Sequence, residues 1–223
     1  LMDEPLAHLD AKLRHLMRTE LKSMQAQFDT TTIYVTHDYA EALSLGDRIA
    51  IINDGKIVQV GNGDEIYYTP KNEFVARLVG EPEINLADAT LSQEGGKTVV
   101  GISSSGVKYT YPVPDDVVAM IGPDVADGRV RIGVRGINIT YRFDAADGFI
   151  PGSVYNLEPI GNKSILTIKV DDQYFQSVAP NDLSVKLDSA VYFRPDPNNI
   201  LYFSAGDGRF LGRHNQAQLI GRK

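Results

Sequence analysis

Apolar residues recur every three to four positions through "KLRHLMRTELKSMQAQF". Leu13, Leu16, Met17, Leu21, Met24 and Phe28 fall on one side and charged residues on the other. That period predicts an amphipathic helix over 12–28 with a buried stripe. Asp10 stands where an N-cap belongs, its carboxylate able to accept from backbone N–H groups that a first turn leaves free. The β-branched run from Thr30 to Thr36 predicts a short buried strand, and "YAEALSLG" a short helix capped by Gly46. In "DRIAIINDGKIVQVG" two apolar runs flank Asn53-Asp54-Gly55, residues that tolerate the positive φ of a tight turn, so a hairpin is predicted. Two more helical turns, 65–68 and 73–79, are separated by Thr69-Pro70.

The pattern changes near Gly80-Glu81-Pro82. Beyond it come short β-type runs with turn residues between some of them and almost no helical period. Strands are predicted at 87–91, 98–102, 108–112, 129–134, 138–142, 152–157, 164–170, 174–178, 190–193 and 200–203. Many short strands at this spacing predict a small barrel or sandwich. "VRIGVRGINI" and "GSVYNLEPIGNKSILTIKV" read as the starts of two halves of a tandem barrel. The last stretch, "GDGRFLGRHNQAQLIGRK", reads as a surface tail with a mildly basic end, in which His214 has no neighbour in sequence to make it a ligand.

Composition narrows the function classes. A length of 223 residues favours two modules, and no apolar run approaches the roughly 20 residues that cross a bilayer. Zero cysteines excludes disulfides and thiolate metal sites and suits a reducing compartment. With 22 Lys and Arg against 29 Asp and Glu, the net charge of −7 argues against a protein that neutralises nucleic-acid phosphates. Tyr109, Tyr111, Tyr141, Tyr155, Tyr174 and Tyr192 are therefore read as strand and core packing rather than a base-stacking platform.

The candidate chemistry sits near the start. Asp3 and Glu4 are adjacent acids at the end of a short apolar run, and His37 follows a second β-type run, "IYVTHD". An acid at the carboxyl end of a buried strand points into the crevice where α/β sheets bind nucleotides. Phosphoryl transfer to water needs a divalent cation and a carboxylate that orients the water, and a neutral imidazole can donate to a phosphate oxygen.

Taken in order, "MDEPLAHLDAKLR", a helix, "TTIYVTHDYAEALSLGDRIAIINDGKIVQVG" and "FVARLVG" resemble the back half of an ABC-transporter ATPase: the end of Walker B, the D-loop and the switch histidine. "EIYYTPKNEFVARLVGEPEINLADATL" is similar to the junction in maltose-type and related carbohydrate-import ATPases, and the later β-runs resemble their TOBE-type regulatory domain. The resemblance implies an α/β part (1–80) of a nucleotide-binding domain followed by an all-β, OB-like domain (81–223). It assigns Asp3 to Mg²⁺, Glu4 to the general base, Asp10 to intersubunit coupling at the nucleotide and His37 to the γ-phosphate. ATP and Mg²⁺ are implied for the intact parent, as are permease subunits, a second ATPase copy, a possible regulator on the β domain and a cytoplasmic position at the inner membrane face. His8 departs from the usual D-loop residue types and receives no catalytic role. Without a P-loop, Q-loop or signature segment, these residues alone are expected neither to hold ATP tightly nor to hydrolyse it. Two other readings stand beside this one: a regulatory, dimerisation or oxyanion-binding module, and an OB-fold nucleic-acid binder, which the charge disfavours.

Overall fold

The computed structural model describes residues 1–28, 30–122, 125 and 127–220. The basic end expected at 221–223 lies outside them. β1 (Met2–Asp3), α1 (Ala11–Phe28) and β2 (Tyr34–Val35) form one β-α-β crossover, with Met2 opposite Tyr34 and Asp3 opposite Val35 in parallel. The strand predicted at 30–36 shortens to two residues because only β1 pairs with it, and a strand is defined no further than its ladder runs. Asp10 caps α1 as expected, its Oδ1 accepting from Leu13 N at 2.9 Å. The buried stripe is a correction: Leu13, Leu16, Met24 and Phe28 are exposed, and only Met17 and Leu21 are half-buried. The segment 39–45 packs along α1, but among the described residues the rest of that apolar side stays open.

α2 (Tyr39–Leu45) starts on Asp38, which accepts from Ala40 N at 2.8 Å. Gly46 closes it, with φ −78 rather than a left-handed turn. β3 (Ile49–Asn53) and β4 (Lys56–Gly61) make the predicted hairpin. Its turn places Asp54 at φ 49 and Gly55 at φ 72, the paired left-handed conformations that suit the twist of a two-residue connection. α3 (Gly63–Tyr68) begins in a reciprocal capping box between Asn62 and Glu65, and α4 (Glu73–Leu78) begins on Asn72. Ile49, Ile51, Ile66, Val75 and Val79 close into a small core beneath the hairpin.

The remainder is β-rich. In chain order it comprises β5 (Asn85–Glu94), β6 (Lys97–Ser104), β7 (Val107–Pro112), α5 (Asp115–Ile121), β8 (Arg129–Val134) and β9 (Ile139–Arg142). Then follow β10 (Ile150–Ile160), β11 (Lys163–Val170), β12 (Gln173–Pro180), β13 (Ala190–Pro195), β14 (Leu201–Ser204), β15 (Phe210–Arg213) and α6 (Gln216–Ile220). They assemble an antiparallel sheet of order β12-β11-β10-β13-β9 and another of order β15-β14-β8-β5-β6-β7. One core joins the two sheets. Tyr111, Val130 and Ile132 come from one, and Ile150, Leu166, Ile168 and Phe193 from the other. The expected tandem halves are thus a single two-sheet body, because both sheets turn their apolar positions toward the same interior. Asn85, buried, stitches them: its Nδ2 donates to Val134 O and Gln176 O, each at 2.9 Å, and its Oδ1 accepts from Gln176 N at 2.5 Å.

Two stretches differ from the sequence reading. α5 lies where no element was predicted, with Val117 and Ile121, one helical turn apart, buried in the core. The supposed surface tail contains β15, paired with β14, and α6. His214 is not isolated either, since its Nδ1 lies 2.8 Å from Asp116 Oδ1 on α5. Among the tyrosines, Tyr111 is buried and donates to Gly148 O at 3.2 Å, as core packing requires. Tyr155 and Tyr174 instead stand exposed against one another, ring centroids 4.6 Å apart.

Candidate functional site

The parallel pairing of β1 and β2 brings their carboxyl ends side by side, and each chain then turns away at a residue that carries chemistry. Glu4 N donates to Val35 O at 2.9 Å, which continues the ladder by one bond past Asp3. Glu4 adopts φ 43, a left-handed conformation that a glutamate rarely takes and that marks a position held by its surroundings. The turn that follows is closed by Ala7 N donating to Glu4 O at 3.2 Å and anchored by buried Leu6.

His37 leaves β2 at the same end, with its Nδ1 3.1 Å from Glu4 Oε2. Both side chains are open to solvent, 76% for His37 and 44% for Glu4. The two residues singled out thirty-three positions apart in sequence therefore face each other. Asp3, exposed, precedes Glu4 on the strand. Asp10 is exposed and spends its Oδ1 on capping α1.

Beneath them lies a network that the sequence reading did not identify. Glu41, buried, accepts from Tyr34 Oη and Thr36 Oγ1, each at 2.9 Å, and faces Arg14 Nε at 3.8 Å. Arg14 also reaches Leu9 O at 3.1 Å and approaches Asp38 Oδ2 at 3.9 Å. Thr36 Oγ1 accepts from Asp38 N at 3.0 Å. Burial first, then the bond to Glu41, push the Tyr34 phenol well above its ordinary value. One carboxylate thus ties β2, α2 and the start of α1 together around His37. A glutamate set among Ala40, Ala42 and Leu43 was the available signal, since a buried acid is retained only with partners.

A second missed residue is Arg135, in an otherwise apolar stretch after β8. It is 4% exposed. Its guanidinium donates to Tyr67 O at 2.8 Å, to Ala76 O at 3.4 Å and to Val79 O, and lies over the Tyr67 ring at 3.9 Å. Desolvation pulls its pKa down. The arginine neutralises the carbonyl end of α4, where a cation is favoured. Glu73 and Arg131, 3.2 Å apart, form another link between α4 and the sheet.

As for cofactors, no group of three or more His, Asp or Glu side chains capable of holding a metal ion occurs among the described residues. Asp3 and Glu4 can offer one face of a hydrated Mg²⁺, and His37 one donor to a phosphate. Among the described residues no phosphate-cradling loop accompanies them. Gly96-Lys97-Thr98 has the letters of one, yet it forms the turn and first residues of the β5–β6 hairpin, where no helix follows to present its N–H groups.

No family model matches the chain. Curated proteins do. The xylose/arabinose import ATP-binding protein XacJ of Haloferax volcanii is 38% identical over 230 aligned residues, covering 97% of this chain and 57% of the relative. The sulfoquinovosyl glycerol transport ATP-binding protein SmoE of Agrobacterium fabrum is 34% identical over 95% of this chain and 56% of its own length. The trehalose/maltose import ATP-binding protein MalK of Thermococcus litoralis reaches 56% identity over 95 residues, 43% of this chain and 26% of the relative. The chain is homologous to the ATP-binding subunits of solute-importing ABC transporters. It spans a little over half the length of the first two of these relatives. Among solved structures, the cytoplasmic molybdate-binding protein ModG overlays 53% of this chain and 94% of its own at a TM-score of 0.43 and 18% identity, a likeness too slight to bear on fold or ligand.

Proposed function

We propose that this chain supplies the water-activating and phosphate-sensing side of an ATPase site in an ABC importer subunit, together with that subunit's β-rich regulatory module. The observation that carries the proposal is the Glu4–His37 pair, 3.1 Å apart at the carboxyl ends of two parallel strands. Glu4 is the general base that orients the attacking water, and Asp3 contributes to the Mg²⁺ shell. His37 donates to the γ-phosphate and reports its presence. Asp10, at the head of α1, faces the nucleotide bound by a second copy. When bound, ATP supplies the phosphoryl group and Mg²⁺ the positive charge that offsets developing negative charge. The residues here only position water and donors.

We divide the chain into a nucleotide-binding part, 1–80, and a regulatory part, 81–223; the small core under the hairpin and the core between the two sheets support this reading, with Ala76, Ile84, Leu201 and Phe203 packed across the junction. Partners are permease subunits and a second ATPase copy, with the β-rich part open to a regulator. The location is cytoplasmic, at the inner face of the membrane. The solute is a carbohydrate or a related small molecule. The 223 residues contain no G-x-x-x-x-G-K-[ST] sequence, so by themselves they neither hold ATP tightly nor hydrolyse it. Calorimetry and phosphate release with Mg-ATP on the purified chain test this. Neither signal should rise above buffer. Glu4-dependent hydrolysis by the isolated chain would overturn the half-site reading.

A further inference from the structure

At one end of the two-sheet body the β6–β7 turn meets the β11–β12 turn. Ser105 at φ 48 and Asp171 at φ 50 occupy the turn tips. They clasp each other: Asp171 Oδ2 accepts from Ser105 N at 2.8 Å and Oδ1 from Ser105 Oγ at 2.6 Å. Beneath the clasp lies a cleft of about 190 Å³. Ser104, Asp171, Asp172 and Gln173 supply its polar wall, and Ile102 and Phe175 part of its apolar floor. Ser104 is 3% exposed, and its Oγ, near enough to the Asp171 carboxylate to help hold it charged, reaches hydrogen-bond geometry with no partner. A buried hydroxyl without a partner costs about 1–3 kcal/mol in a finished core, so its place in a cleft wall points to a missing ligand group.

The wall chemistry selects the ligand. Two carboxylates and no basic side chain repel an anion, and the bonds from Ser105, helped by the nearby Ser104 hydroxyl, keep the Asp171 carboxyl below its usual range and therefore charged. No metal-holding group of His, Asp and Glu exists among the described residues. An ammonium donates only, which leaves the Ser104 hydroxyl proton and the Gln173 amide protons without an acceptor. Hydroxyl groups donate to the carboxylates and accept from the serine and the amide. The volume equals roughly six waters' share of liquid, close to one sugar ring. We propose that this cleft binds a small neutral polyol of monosaccharide size through Ser104, Asp171, Asp172 and Gln173. The site is independent of the ATPase half-site and does not rest on that reading.

Titration of the ¹⁵N-labelled 223-residue chain with xylose, glucose and glycerol tests it, with molybdate and putrescine as anionic and cationic comparisons. The expected result is saturable movement of the Ser104, Asp171 and Gln173 amide resonances with a sugar and none with molybdate or putrescine. Asp172→Asn and Ser104→Ala should each weaken binding about tenfold while resonances remote from the cleft stay in place. The absence of saturable shifts with any polyol, preferential saturation by putrescine or molybdate, or unchanged affinity in both variants would overturn the proposal. Because the unmodified chain is titrated first, misfolding of a variant does not decide the question.

Discussion

Replacing Arg135 with methionine removes the group that holds the end of α4 against the β-rich body, and the structure allows its cost to be worked out. Three carbonyls, Tyr67 O, Ala76 O and Val79 O, lose their side-chain donor. The 3.4 Å contact to Ala76 is weak, so two bonds carry most of the loss, at about 1–3 kcal/mol for each buried carbonyl left unpaired. The guanidinium's contact with Tyr67 adds about 1 kcal/mol. Against this stands relief of the penalty for burying a charge, the same burial that lowers the arginine's pKa. The net expectation is a destabilisation of about 3 kcal/mol, near the low end for breaking a buried charged network. Arg135→Lys keeps the charge but not the fork that reaches two segments at once, so it should recover only part of the loss. Urea unfolding gives the magnitude, and amide exchange across 63–80 gives the location. Arg135→Met within about 0.5 kcal/mol of wild type, the range of an ordinary surface change, and with unaltered exchange in 63–80, would refute the reasoning.

Further consequences follow from the same contacts. Gly80 sits at φ +108, and a Cβ there would lie 2.7 Å from Arg135 Nη1, so Gly80→Ala should cost about 1–3 kcal/mol in thermal or urea unfolding. Asn85→Leu leaves Val134 O and Gln176 N and O without their bridge and should destabilise the chain by about 2–4 kcal/mol, with faster exchange along β12. Glu41→Ala should raise exchange at 34–41 and broaden the His37 resonances, because Tyr34, Thr36 and Arg14 all lose their common partner. Burial acts to raise the Asp116 pKa, but the bonds from His214 and Asn215 N outweigh it and hold the carboxyl low. That contribution to stability is complete above the unfolded value of about 3.9 and is lost as pH falls through the lower folded value. An NMR pH titration should show it, and His214→Ala should move the Asp116 midpoint upward.

Much of the β-rich part was legible because alternation survives in single strands: the predicted 129–134 strand coincides with β8, and 164–170 falls one residue short of β11. α5 was missed because its seven residues give barely two turns, too few for a 3.6-residue period to stand out from a loop. β15 was missed because Gly208 and Gly212 break the apolar run around Phe210 and Leu211, and its identity as a strand comes from pairing with β14. The stripe on α1 was read correctly as apolar and wrongly as buried, since a period reports which residues share a face and not whether anything covers it. Glu4 and His37 were legible as types in order. Their meeting depends on the parallel pairing of β1 with β2, which two-residue strands do not announce. Arg135 and Glu41 were read past because a charge inside an apolar run is visible, while its buried partners lie about sixty positions away or on another element.

The central claim is that Glu4 activates water beside His37. Its most direct measurement joins this chain to an ATPase segment that carries a G-x-x-x-x-G-K-[ST] phosphate loop and compares wild type with Glu4→Gln for Mg-ATP binding and hydrolysis. The account predicts that the variant retains ATP binding and loses at least about 100-fold in hydrolysis, the scale of a general base. Hydrolysis by Glu4→Gln at the wild-type rate would contradict it.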